Sequence, residues 1–163
     1  MSRAFVKETD EGPGSDDLLE RPQSKSINYV TPNGLVQLKS RYQELLKQKQ
    51  SLVNSDGPQE KQRLAQVERD LRYFQARLES ANLVNPLAQP ADKVLFGATV
   101  KVSDESVKIK EYTIVGEDEA DMHSGKVSWV SPLAEALLGA VVGDVVVWER
   151  PSGDSELEVL SIR

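Results

Sequence analysis

The chain has 163 residues, 20 Lys+Arg against 26 Asp+Glu for a formal net charge of -6, and is 39% apolar and 28% charged. It has no cysteine and one histidine, His123, which excludes disulfide scaffolds, cysteine nucleophiles, cysteine-ligated metals and multi-histidine metal centres, and leaves a Ser–His–Asp triad without support. No apolar run approaches the ~20 residues of a membrane span, Met1 to Glu20 lacks the apolar stretch of a secretory signal, and the acidic total argues against coating bare duplex DNA, so a soluble cytoplasmic protein is expected.

The charge is unevenly spread. Residues 1–30 carry 4 basic and 6 acidic side chains, residues 31–85 carry 9 and 6, and residues 86–163 carry 7 and 14. A basic middle and an acidic end suggest two modules that meet different partners.

Residues 1–30 read as a disordered tail, since Glu8 to Asp17 mixes acids, Gly and Pro with no apolar period. Thr31-Pro32-Asn33-Gly34 then opens a helix, with Thr31 as N-cap and Pro32 in the first turn. Its apolar seam is Leu35, Leu38, Tyr42, Leu45 and Leu52, interrupted by Lys49. Asn54 to Pro58 is a break. A second helix carries Leu64, Val67, Leu71, Phe74, Leu78 and Ala81 at alternating spacings of three and four. Two such helices joined by a tight turn predict an antiparallel coiled-coil hairpin over 31–85, each arm roughly 33–39 Å long.

Residues 86–93 form a linker. From Val94 the pattern becomes alternating and β-branched: Leu95–Val102, Val107–Val115, Lys126–Val130, Gly143–Glu149 and Glu156–Ile162 read as strands. Ser131-Pro132 caps a short helix, Leu133–Leu138, with Gly139 after it. Residues 94–163 are thus predicted as a small antiparallel sheet with one helix, and the fold class as α+β.

Three groups of residues invite a chemical reading. Asp118-Glu119-Ala120-Asp121 spells a helicase motif, but no phosphate-cradling G-x-x-x-x-G-K-[ST] loop accompanies it, so it reads as a solvated acidic loop, with His123 a surface turn residue. Asp56 and Glu60 flank the hairpin tip. They are either acids that favour a helix start or carboxylates able to help hold a magnesium ion in another protein's active site. The basic residues of the hairpin, Lys61, Arg63 and Arg77 among them, fall mostly outside the seam and are expected in solvent, where Lys61 and Arg63 could meet phosphate, RNA or an acidic channel. No aromatic stacking platform accompanies them.

The order Thr31-Pro-Asn-Gly34, Val94-Leu-Phe-Gly-Ala-Thr-Val-Lys-Val102, Tyr112 to Asp121, Ser131-Pro-Leu-Ala-Glu-Ala-Leu-Leu-Gly139 and Val142-Gly-Asp-Val-Val-Val147 resembles the bacterial GreA/GreB transcript-cleavage factors over residues 28–163. The resemblance implies an N-terminal coiled coil and a C-terminal FKBP-like domain. It implies RNA polymerase as partner, bound at the rim of its secondary channel through Val130, Ser131, Pro132 and Leu133, with RNA and DNA of the elongation complex contacted only indirectly. It further implies that tip acids, here Asp56 and Glu60, assist the polymerase's own magnesium ion. The chain would then be a monomer with no metal or cofactor of its own, and no enzyme by itself.

Two departures stand out against the family pattern. Val130 and Glu135 replace a polar or acidic residue and an arginine. Asn54-Ser-Asp-Gly-Pro-Gln-Glu60 stands where cleavage-competent members carry a G-D-x-x-E-N-A-E-Y-like stretch, in a hairpin roughly a dozen residues shorter, which removes roughly 9 Å of reach. Three functions follow as alternatives: a cleavage-stimulating elongation factor, a homologue that occupies the channel without stimulating cleavage, and a peptidyl-prolyl isomerase suggested by the fold alone.

Overall fold

The computed structural model describes residues 18–163. It begins with an extended segment that ends in a short strand β1 (Tyr29–Val30) and leads into helix α1 (Pro32–Leu52). The Thr31 hydroxyl accepts the Gly34 N–H at 2.9 Å, which satisfies one of the donors a helix start leaves open, and Pro32 needs no such partner. Helix α2 (Pro58–Glu79) follows after five residues, and strand β2 (Asn82–Leu83) returns alongside β1 in parallel register.

α1 and α2 lie side by side in opposite directions. Leu45, Val67 and Leu71 are buried between them, with Tyr42, Leu46, Leu52 and Phe74 packed around. The polar position in the α1 seam is accommodated by an ion pair: Lys49 Nζ reaches Glu68 Oε1 at 3.2 Å. The burial follows the three-and-four spacing, which is the physical basis of the seam.

The C-terminal module is a five-stranded sheet of β3 (Thr99–Ser103), β4 (Ile109–Val115), β5 (Lys126–Ser128), β6 (Val145–Trp148) and β7 (Ser155–Ile162), in the order β5-β4-β3-β7-β6. Helix α3 (Pro132–Leu137) contributes Leu133, Ala134 and Leu137 to a core shared with Val100, Val102, Tyr112, Ile114, Val127, Leu157 and Val159. The fold is α+β. The expectation of an all-antiparallel sheet is corrected: β5 pairs with β4 in parallel, because the chain crosses from Val115 to Lys126 through the 116–125 loop rather than through a tight hairpin.

The tail expectation also needs correction within the described residues. Residues 18–30 run along α2 as a strap. Arg21 lies over the Tyr73 ring at 3.9 Å and pairs with Asp70 at 3.4 Å, Glu20 pairs with Arg72, and Asn28 is buried, donating to the Arg77 carbonyl at 2.8 Å. Polar composition hid this because the strap is held by cation–π and charge contacts rather than by an apolar period. Residues 1–17 lie outside the described part.

Candidate functional site

Three places carry the functional side chains. At the hairpin tip, Asp56 is exposed in the turn and Glu60 sits in the first turn of α2, where an acid favours the open N–H groups. The Glu60 carboxylate folds back over Gly57, occupying the space a side chain there would need. Among the described residues no three acidic or histidine side chains converge on a metal geometry, here or elsewhere. Lys61 and Arg63 are exposed. Arg63 opens onto the groove between the helices, beside Gln48, Gln59 and Gln62.

The second place is the corner between β5 and α3. Ser131 Oγ donates to the Ser128 carbonyl at 2.6 Å and accepts from Ala134 N at 3.3 Å, so it caps α3 and fixes the bend. Pro132 is exposed on the apex, and Val130 and Ser131 are half-buried beside it. Leu133 is 2% exposed and belongs to the core, so it supports this surface from beneath and does not present itself on it. Its grouping with its neighbours by chain position missed the inward turn that helix geometry gives it.

The third place went unread as a functional unit: the junction of the two modules. Arg77, expected in solvent, is 2% exposed. Its Nε donates to Asp118 Oδ2 at 2.6 Å, one Nη donates to Asn28 Oδ1 at 2.7 Å, and Glu117 lies 3.7 Å away. Tyr73 donates its hydroxyl to the other oxygen of Asp118 at 2.6 Å. Glu119, 8% exposed, accepts from the Thr31 hydroxyl at 2.5 Å and from Asn33 at 3.0 Å, and Lys126 approaches it to 3.7 Å.

The segment expected as a solvated acidic loop is therefore a clasp. Its acids diverge to separate partners: Asp118 to α2, Glu119 to the start of α1, and Asp121 to Ser124 and its own turn at 2.9 Å. Tyr29 completes the junction with apolar contact, its ring 5.0 Å from that of Trp129 and 5.7 Å from that of Phe96. A sequence signal did exist. An acidic triplet in the sheet module faces a surplus of arginines in the hairpin, but charge composition does not say which arginine leaves water.

The comparisons place this architecture. The family described as "Transcription elongation factor, GreA/GreB, C-term" matches residues 89–163, the last part of the linker and the whole sheet module. The transcription elongation factor GreB of Neisseria meningitidis serogroup B is 37% identical over 155 residues, covering 85% of this chain and 95% of that protein. GreA of Nitratidesulfovibrio vulgaris strain DP4 is 41% identical over 104 residues, 63% of this chain and 64% of that protein. Among solved structures, the GreA factor homolog 1 (Gfh1) of Thermus thermophilus is 26% identical and covers 85% of this chain and 99% of that one, with a TM-score of 0.39. The match to GreB over 85% of the chain, across both the helical hairpin and the mixed sheet, defines the class as transcription elongation factors. The chain belongs to the GreA/GreB family.

Proposed function

We propose that this protein binds RNA polymerase at the rim of its secondary channel and regulates elongation by inserting the helical hairpin, acting on the polymerase rather than as an enzyme. The reading extends to the finer architecture of the family: the hairpin serves as a coiled coil and the sheet module as an FKBP-like docking domain. It also implies a cytoplasmic protein acting as a monomer. The observation that carries it is the match to GreB over 85% of the chain, spanning both modules. Docking falls to the β5–α3 corner, where Val130, Ser131 and Pro132 form a bend held rigid by the Ser131 cap. Any magnesium ion involved belongs to the polymerase.

Two modes fall within this reading, and the shape of the tip favours one of them. Stimulated cleavage needs Asp56 and Glu60 extended toward a metal, at ligand distances of about 2.1 Å. Glu60 instead folds onto its own helix start, which favours occupancy of the channel without stimulation.

The test is 3′-end cleavage of RNA in a stalled, backtracked elongation complex with magnesium and polymerase, with and without the protein and its Asp56→Ala and Glu60→Ala variants. Occupancy predicts no acceleration by the wild-type chain and unchanged behaviour of the variants. Acceleration that both variants abolish makes the tip acids functional. Docking is measured separately: Pro132→Ala is expected to weaken polymerase affinity several-fold with the fold intact, and unchanged affinity removes the corner from the interface.

A further inference from the structure

The sheet ends in a strand with an unusual surface. β6 is an edge, and among the described residues nothing pairs with its outer side. Val159 N donates to the Asp144 carbonyl at 2.8 Å, so the antiparallel alternation turns the N–H and C=O of Val146 and Trp148 toward β7 and those of Val145 and Val147 outward. Val145 and Val147 are 59% and 49% exposed, and Val141 and Val142 just before them are also exposed. The strand is short, four residues, and opens at a bulge where Gly143 and Asp144 both face Val159, but no lysine or proline lies within its span.

The charge around it has one sign. Val145 lies directly opposite Glu158 and Val147 opposite Glu156, so each valine shares the sheet's outer face with a carboxylate one strand further in. Asp144 and Glu149 bracket the strand. Among the described residues next to the strand in sequence, the basic side chain is Arg150, and it is engaged with the Trp148 ring at 5.0 Å and with the Gly153 carbonyl at 3.1 Å.

We infer that β6 is an interaction edge that takes an extended basic segment of a partner protein as a sixth strand. Outward backbone groups of Val145 and Val147 supply the ladder. On the outer face, a lysine or arginine of the incoming strand lays its aliphatic stem on a valine and reaches Glu156 or Glu158 with its charged end. On the inner face, alternate apolar residues meet the partly buried Val146 and Trp148. A second copy of this chain is disfavoured as occupant, because it brings together two modules that each carry 14 acidic against 7 basic side chains over residues 86–163. β5 and β6 are opposite edges of the sheet, and α3, which begins at the docking corner, packs against both; the ladder proposed here uses the outward side of β6 and is read separately, at the Val145 and Val147 amides.

The experiment titrates the isotopically labelled full chain with the capped peptide Lys-Val-Lys-Val-Lys, and with Glu-Val-Glu-Val-Glu as control, following backbone amides by NMR. The Val145 and Val147 amides are expected to shift and to exchange more slowly with the basic peptide, less so as salt rises. Glu156→Lys/Glu158→Lys should weaken binding roughly ten-fold. Val147→Pro, which removes an outward N–H that β7 does not use, should abolish it with the other sheet amides unmoved. An equal response to both peptides, no response at these amides, or self-association of the chain through β6 without peptide overturns the inference.

Discussion

Tyr73 faces two ways. Its ring carries the Arg21 guanidinium of the strap, and its hydroxyl donates to Asp118 of the sheet module. Burial first, and then that hydrogen bond, push its phenol up to about 12 from the ordinary value near 10. Between those two values the unfolded chain loses the phenolic proton while the folded chain keeps it. The unfolded state then binds fewer protons, and stability falls as pH rises from about 10 to 12. Tyr73→Phe is expected to lower stability at neutral pH slightly, by loss of the bond to Asp118, and to flatten the alkaline slope of a Tm-against-pH curve. Tyr112, likewise raised by burial, keeps its own share in both proteins. A slope unchanged by the substitution removes Tyr73 from the junction's titration.

The helices and strands were legible in the sequence where burial has a period. Leu38, Leu45, Val67 and Leu71 are buried as the three-and-four spacing requires, and Val100, Val102, Leu157 and Val159 as alternation requires. Leu45 is 1% exposed, so Leu45→Ala is expected to cost about 2–5 kcal/mol. Hydrogen exchange checks this: amides of α1 and α2 should lose protection before those of the sheet. Equal loss in both modules would mean that they unfold as one unit. Illegible were the features set by pairing rather than by period. The parallel β4–β5 pair depends on how a loop crosses, the strap on single charge and cation–π contacts, and the burial of Arg77 on partners some 40 to 50 residues away on either side. The Ser131-Pro132 cap was readable because its chemistry is local, whereas the inward turn of Leu133 was overlooked beside it.

For the whole molecule the clasp sets how the hairpin projects from the sheet module. Arg77→Ala removes the guanidinium from Asp118, which keeps the Tyr73 hydroxyl, and from the buried Asn28 Oδ1, and is expected to cost about 1–3 kcal/mol at the junction, the penalty of an unpaired buried acceptor. Small-angle scattering should show a larger radius of gyration, with circular dichroism retaining both helix and strand. An unchanged radius would mean that the Tyr29–Trp129 contact and the Glu119 bonds hold the angle alone. Gly116 marks how closely the modules meet, because a Cβ there would strike the Tyr29 carbonyl.

The clasp also has a consequence in time. The hairpin leaves the ribosome first, and the acids that seal Arg77 are made roughly 40 residues after α2 is complete, about 2–8 s later at ordinary rates of synthesis. During that interval the strap and the paired β1 and β2 are the only described contacts able to steady the base of the hairpin. The nascent chain therefore carries a finished arm before it carries the means to aim it.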